Sequence, residues 1–81
     1  MKVFVTGASG LLGSNVVREL LAQGYSVKAM VETGKPYPTL HNLPIEIIEG
    51  NILQPDFLKK EIQGCDYVIH TAASTAVYPL R

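Results

Sequence analysis

Three glycines stand close together in the string TGASGLLG, from Thr6 to Gly13. A short apolar run precedes this string and a helical pattern follows it, which is the context that a dinucleotide-binding turn requires. Gly7 allows a tight turn, Gly10 lets backbone approach a pyrophosphate, and Gly13 lets a helix pack closely on a sheet. The string therefore predicts a phosphate cradle, and a strand-to-helix turn without any ligand is the alternative that the glycines alone leave open.

The helix that follows the glycines adds an electrostatic contribution. Its first N–H groups, including those of Leu11 and Leu12, have no partner inside the helix and lie at the positive end of its dipole. A phosphate beside Gly10 would receive both the hydrogen bonds and the field. We therefore expect Leu11 and Leu12 to bind the phosphate through their backbone N–H groups.

An acidic residue, Glu32, ends the second strand pattern about 20 positions beyond the glycine string. A carboxylate there accepts hydrogen bonds from the hydroxyls of an adenosine ribose and repels the extra phosphate of NADP. NAD is therefore the expected cofactor and NADP the less favoured one. Two lysines, Lys28 and Lys35, argue against this preference, because their positive charges attract a phosphate. However, Lys28 lies earlier in the strand, and Lys35 lies in a loop where ordering its side chain costs entropy.

The spacing of apolar residues predicts the elements that position these groups. Strands are predicted over Lys2 to Thr6, Tyr25 to Glu32, Ile45 to Glu49 and Asp66 to Thr71. Helices are predicted from Leu11 to Gln23, before Gly24, and from Pro55 to a stop before Gly64. Thr33 to Pro44 favours an irregular connection with at most one helical turn. The first helix is expected to bury a stripe of Leu12, Val16 and Leu20, flanked by Val17 and Leu21, and to leave Ser14 in solvent.

Strands that alternate with helices predict an α/β fold with parallel pairing and right-handed crossovers. The expected strand order is 3-2-1-4, the first half of a Rossmann-type sheet with helices on its faces. This order creates a switch point between strands one and four, and open α/β sheets bind ligands there, outside the carboxyl ends of the strands. The glycine string, Glu32, Asn51 and the Thr71 region all fall at those ends.

Composition limits the other partners. The chain has 81 residues, 47% of them hydrophobic, and its seven basic and seven acidic residues give no net charge. There is no long-range field to gather nucleic acid or an anionic membrane, and no apolar run reaches the roughly 18 residues of a membrane span. The lone Cys65 cannot form an internal disulfide, and no export signal is recognisable. We expect one cytoplasmic domain that binds neither nucleic acid nor membrane.

Four motifs in a fixed order resemble the N-terminal portion of the extended short-chain dehydrogenase/reductase family, its NAD-dependent epimerase/dehydratase and dihydroflavonol-reductase-like group. They are TGASGLLG for the family's TGxxGxxG, GNI at Gly50 to Ile52 for its GDL or GDI, GCDYVIH at Gly64 to His70, and HTAA at His70 to Ala73. Together these motifs span nearly the whole chain. They do not identify a substrate.

The resemblance implies roles for individual positions. The pyrophosphate would be held by Gly7, Gly10, Leu11, Leu12 and Gly13, the adenosine ribose by Glu32, the adenine by Asn51 and Ile52, and the nicotinamide-side ribose by the backbone of Thr71, Ala72 and Ala73. The family usually has Asp where this chain has Asn51. An amide oxygen still accepts a hydrogen bond from the adenine amine, so we expect this contact to survive with some loss.

The family's catalytic residues, a Ser or Thr and a Tyr-x-x-x-Lys motif, have no match here, because Tyr78 is followed by Pro79, Leu80 and Arg81. We therefore expect no catalytic residue in these 81 residues and interpret them as the cofactor-binding part, residues 1–81, of a longer NAD(P)-dependent oxidoreductase or sugar-nucleotide epimerase/dehydratase. A non-catalytic nucleotide-binding module and an excised half-Rossmann folding fragment are the alternatives.

The remaining residues have simpler interpretations. His70 is expected to be hydrogen-bonded at the end of the sheet. The wet face of the short helix is expected to consist of Lys59, Lys60 and Glu61. A plain loop is expected at Ser74 and Thr75, with contact to cofactor or substrate as the alternative. Neither histidine has ligands at metal spacing, so no metal site is expected. The fourth strand of such a sheet normally pairs with a fifth, and no fifth strand is predicted here. The fourth strand should therefore expose its edge around Tyr67 to Ile69 and favour self-association there.

Overall fold

A computed structural model describes residues 1–51, 53–71 and 75–80 of the chain. Its strands are β1 (Lys2–Thr6), β2 (Ser26–Val31), β3 (Glu46–Glu49), β4 (Tyr67–Thr71) and β5 (Thr75–Pro79). Its helices are α1 (Leu11–Ala22) and α2 (Pro55–Glu61), and a short 3₁₀ helix, Pro38–Leu40, interrupts the connection between β2 and β3. The predicted elements are confirmed with small changes at their ends, and the connection contains the single helical turn allowed for it.

The sheet has the order β3-β2-β1-β4-β5. The central strand β1 pairs in parallel with β2 on one side and with β4 on the other, and β2 pairs in parallel with β3. The predicted order 3-2-1-4 is thus confirmed. It places the carboxyl ends of β1, β2 and β4 at one edge of the sheet, with the switch point between β1 and β4.

The fifth strand was not predicted from the sequence. β5 pairs antiparallel with β4 along its whole length, from Tyr67 opposite Pro79 to Thr71 opposite Thr75. An antiparallel neighbour needs no crossover helix, so the alternation of strands and helices gave no signal for it. The predictions of a loop at Thr75 and of an open edge on β4 are therefore wrong, and self-association through that edge loses its structural basis.

Helix α1 packs on one face of the sheet with most of the predicted stripe, because Val17 is buried and Val16, Leu20 and Leu21 pack partly buried against the core. Its buried residues are Gly13, Ser14 and Val17, whereas Leu12 is 39% exposed. The small side chains at the start of the helix let it approach β1 closely, which turns Ser14 towards the sheet. The Ser14 hydroxyl donates to the carbonyl of Leu11 at 3.2 Å, so its burial leaves no unpaired donor. The prediction that Ser14 faces solvent is wrong.

The main core lies between α1 and the sheet. Its buried members include residues of β1, of β2, of α1 and of the β2–β3 connection, namely Val3, Val5, Val17, Val27, Ala29, Val31 and Leu40. The β-branched residues of β1 and β2 occupy alternate positions and face α1, as expected of a pleated strand. Phe4 and Met30 are buried as well and alternate with them.

A group of charges lies towards the amino ends of the strands, away from the switch point. Lys28 Nζ is 3.0 Å from a Glu61 carboxylate oxygen and 3.6 Å from one of Glu46, and Lys2 also pairs with Glu46. Burial by itself lowers the pKa of Lys28, but the hydrogen bond to Glu61 and the charge of Glu46 together raise it above its usual value. Glu61 therefore ties α2 to the sheet, and the prediction that it belongs to the wet face of the short helix is wrong.

Among the described residues, neither helix has the length and apolar character needed to cross a bilayer.

Candidate functional site

A cavity of about 490 Å³ opens at the carboxyl ends of β1, β2 and β4, where the strand order predicts a ligand site. Eight of the residues singled out from the sequence line it: Gly7, Gly10, Leu11, Leu12, Gly13, Glu32, Asn51 and Thr71. The other three, Ile52, Ala72 and Ala73, lie outside the described residues. The fold thus brings together residues that are up to 64 positions apart in the sequence, such as Gly7 and Thr71.

The glycine string forms a tight turn between β1 and α1. Gly7 has a φ of +63°, a conformation that favours glycine, and its carbonyl accepts a hydrogen bond from Gly10 N at 3.2 Å. Gly10 then adopts an extended conformation, φ −73° and ψ 171°, and begins α1 as its N-cap. This path places the first turn of α1, whose N–H groups have no partner inside the helix, beside the cavity that Gly10, Leu11 and Leu12 line.

The turn is held against β4 by a threonine. Thr71 is 6% exposed, and its hydroxyl lies 2.6 Å from the carbonyl oxygen of Thr6 and 3.1 Å from that of Gly7. A Cβ on Gly7 would meet the same residue, including its hydroxyl oxygen at 2.7 Å. The Thr71 side chain therefore positions the turn.

His70 is hydrogen-bonded at the end of the sheet, as predicted. Its Nδ1 lies 2.7 Å from the Thr6 hydroxyl, and His70 is one of the residues that line the cavity. Ser9, Met30 and Gly50 line the cavity too and were missed in the sequence. The alternation of β2 was the available signal for Met30, because Met30 and Glu32 occupy the same face of the strand.

Glu32 lines the cavity and forms an ion pair with a lysine of the β2–β3 connection. Its carboxylate lies 3.1 Å from Lys35 Nζ, and both side chains are about two-thirds exposed, 64% and 66%. The turn between them is fixed by Lys35 N, which donates to the Glu32 carbonyl, and by Gly34 N, which donates to a Glu49 carboxylate oxygen at 3.1 Å. Glu32, whose charge disfavours NADP, and Lys35, whose charge favours it, therefore form an ion pair in a highly exposed site.

Asn51 makes a local hydrogen bond that the sequence did not indicate. Its side-chain oxygen accepts from Leu53 N at 2.9 Å, which is an Asx turn after β3. The remaining terminal group of the side chain is the amide nitrogen, a donor. An aspartate at this position would carry a second acceptor oxygen in place of this donor.

Within residues 1–51, 53–71 and 75–80, no group of three or more His, Cys, Asp or Glu side chains is close enough to hold a metal ion.

Comparison with known proteins agrees with this geometry. The sequence model of the NAD dependent epimerase/dehydratase family matches residues 3–80. Among curated proteins, the 4-hydroxy-2-methyl-3-oxo-4-farnesyl-3,4-dihydroquinoline-1-oxide ketoreductase of Stigmatella aurantiaca is 38% identical over 76 residues, which cover 94% of this chain and 23% of that protein. The match runs across both the glycine turn and the β4 region.

Two solved structures show the same fold. WbmH from Bordetella bronchiseptica, in complex with NAD+, superimposes with a TM-score of 0.77 at 32% identity, over 90% of this chain and 26% of that one. Vestitone reductase from alfalfa (Medicago sativa) gives a TM-score of 0.76 at 34% identity, over 88% of this chain and 24% of that one. The chain therefore spans about a quarter of the length of the proteins that it matches here.

Proposed function

The chain belongs to the NAD dependent epimerase/dehydratase family, and from this membership we propose that it binds NAD for a longer protein that transfers hydride, either an oxidoreductase or a sugar-nucleotide epimerase or dehydratase. The observation that carries the proposal is the cavity at the switch point, which the glycine turn, Glu32, Asn51 and Thr71 line together. The similarity to a ketoreductase and to a structure solved with NAD+ supports it.

The residues of the cavity fit a dinucleotide. A Cβ built on Gly10 would meet only the Gly7 carbonyl oxygen, at 3.5 Å, so the cavity side of Gly10 is open for an anion to reach backbone. The N–H groups of Leu11 and Leu12 would hold the pyrophosphate, and Glu32 would accept hydrogen bonds from the adenosine ribose. Bound NAD would supply a nicotinamide ring that accepts or returns a hydride.

Titration calorimetry of the purified chain with NAD tests the proposal. We expect saturable binding with one site per chain, and the same experiment with adenosine should give weaker binding because the phosphate contacts are lost. A folded chain that does not bind NAD at millimolar concentration would contradict the proposal. Hydride transfer needs a test on a protein that carries the Tyr-x-x-x-Lys motif beyond this segment, and binding there without turnover would indicate a non-catalytic nucleotide-binding module.

We expect the chain to prefer NAD over NADP by about tenfold, since the Glu32 carboxylate repels the 2′-phosphate at short range. Glu32→Arg should narrow or reverse this preference. Lys35→Met should increase it, because Lys35 lies 3.1 Å from Glu32 and offsets part of the negative charge. Titration of both cofactors against the three proteins measures the effect. Tighter binding of NADP by the unchanged chain would show that Lys35 rather than Glu32 controls the pocket.

Asn51→Asp should strengthen NAD binding by about three- to tenfold, the value of one hydrogen bond. The Asn51 oxygen already accepts from Leu53 N, and the other terminal atom of the side chain, the amide nitrogen, is a donor like the adenine amine. Aspartate would keep the turn and provide an acceptor. Asn42→Asp, which adds the same charge at an exposed position of the β2–β3 connection, is the matched control.

Nicotinamide hypoxanthine dinucleotide provides the second measurement for this prediction. Hypoxanthine has a carbonyl where adenine has the amine. This carbonyl oxygen accepts a hydrogen bond from the Asn51 amide nitrogen and is repelled by a carboxylate, which has no hydrogen to donate. Its affinity should fall in Asn51→Asp while that of NAD rises. A parallel change in the affinity of both dinucleotides would rule out this arrangement of donors.

A further inference from the structure

The connection between β2 and β3 reaches back across the fold to the glycine turn. Thr39, in the 3₁₀ helix of this connection, donates its hydroxyl hydrogen to the carbonyl oxygen of Ser9 at 2.9 Å. Ser9 lines the cavity, whereas Thr39 is not among the lining residues. The contact joins two segments that are 30 positions apart and that the sequence does not connect by any motif.

The hydrogen bond from Thr39 fixes one end of a single peptide group. The carbonyl of the Ser9–Gly10 peptide accepts from Thr39, and its N–H donates to the Gly7 carbonyl at 3.2 Å. Both polar groups of the peptide plane are thus held, directly before Leu11, where α1 begins. Rotation of this plane would turn its carbonyl oxygen towards the cavity, where an anion would be repelled.

Local structure does not fix this peptide group by itself. The N-cap of α1 is Gly10, which has no side chain to hydrogen-bond the first turn. Gly7 and Gly10, on either side of Ala8 and Ser9, leave the backbone freer than any other residue type would. The orientation of the turn therefore depends on contacts from other parts of the fold.

Thr39 is itself held firmly. Its carbonyl oxygen accepts a hydrogen bond from Arg18 Nη2 of α1 at 2.6 Å. The next residue, Leu40, is 1% exposed and belongs to the main core. Leu40 N also donates to the Tyr37 carbonyl at 3.0 Å, which closes the short helix. The backbone of Thr39 is therefore fixed. The hydrogen bond from its hydroxyl to Ser9 needs to order only one rotatable bond between backbone and hydroxyl oxygen, the Cα–Cβ bond.

From these contacts we infer that Thr39 is a positioning residue for the pyrophosphate of the dinucleotide, an inference that rests on the proposed function. Its hydroxyl keeps the Ser9 carbonyl turned away from the cavity, so that the Leu11 and Leu12 N–H groups face the anion. Because Thr39 acts through the Ser9–Gly10 peptide and does not line the cavity, its effect is confined to ligands that carry the pyrophosphate.

The test compares Thr39→Val, which keeps the shape of the side chain and removes the hydroxyl, with Thr39→Ser, which keeps the hydroxyl. Calorimetry with NAD should show binding about three- to tenfold weaker in Thr39→Val, the effect of one hydrogen bond. Thr39→Ser should bind NAD within about twofold of the unchanged chain. Adenosine, which lacks phosphate, should bind all three proteins equally. Thermal unfolding of the three proteins shows whether each is folded at the titration temperature.

Hydrogen exchange of the Gly10 amide, followed by NMR on the ligand-free chain, gives a readout that does not depend on binding. It should be faster in Thr39→Val and unchanged in Thr39→Ser. Equal NAD affinity in Thr39→Val and the unchanged chain, or equal losses for NAD and adenosine, would overturn the inference. If the unchanged chain binds no NAD, the proposed function fails, and the Gly10 exchange rates still decide whether Thr39 holds the turn.

Discussion

Gly13→Ala should destabilise the fold by about 3 kcal/mol or more, a large share of the stability of a domain this small. A Cβ on Gly13 would lie 2.8 Å from the carbonyl carbon of Gly7 and 2.9 Å from the Cα of Ala8, and closer still to the Gly7 oxygen. These are backbone atoms, and the turn that contains them is held in place by the hydrogen bond from the Thr71 hydroxyl to the Gly7 carbonyl. Neither partner can move away without breaking the packing of α1 on β1.

The direction of the expected change in stability distinguishes close packing at Gly13 from helix propensity. Gly13 lies inside α1, and helix propensity alone predicts that alanine would stabilise the helix by about 1 kcal/mol. Urea unfolding monitored by circular dichroism measures the difference. Gly10→Ala is the matched control, since the same methyl group would meet only the Gly7 oxygen at an ordinary 3.5 Å. A Gly13→Ala protein as stable as this control would show that α1 does not approach the turn as closely as described.

Gly10→Val should reduce NAD affinity more than tenfold, or more than about 1.4 kcal/mol, while the fold is retained. The branched side chain would fill the space through which a pyrophosphate reaches the backbone of the turn. The fold should tolerate it, because Gly10 has φ −73° and ψ 171°, which is extended backbone open to any residue. Gly10 and Gly13, three positions apart in one motif, thus serve different purposes: Gly10 keeps the cradle open and Gly13 permits the packing.

Calorimetry with NAD and with adenosine checks the Gly10→Val prediction, and circular dichroism shows whether the protein is folded. Adenosine should still bind, because its proposed partners Glu32 and Asn51 belong to segments of the chain other than the glycine turn. Gly10→Ala should show an intermediate loss. If Gly10→Val binds NAD as well as the unchanged chain does, the phosphate cradle lies elsewhere.

Part of this protein was determined by its sequence alone. The alternation of β-branched residues in β1 and β2, the helical spacing after the glycines and the stops at Gly24 and Gly64 are local signals, and they predicted six of the elements and the order of four strands. The same order predicted that the glycine turn, Glu32, Asn51 and Thr71 meet at one edge of the sheet, because parallel strands bring their carboxyl ends together. The cavity contains all of them.

The tertiary structure decided what depends on pairs of distant residues. β5 exists because β4 offers it an antiparallel edge, and Ser14 is buried because Gly13 lets α1 approach the sheet. The bonds from Thr39 to Ser9 and from Lys28 to Glu61 follow from crossovers that place remote segments side by side. Periodicity reports which way a side chain points from its own backbone, and it carries no information about which distant group lies opposite. That information arises only when the chain is folded.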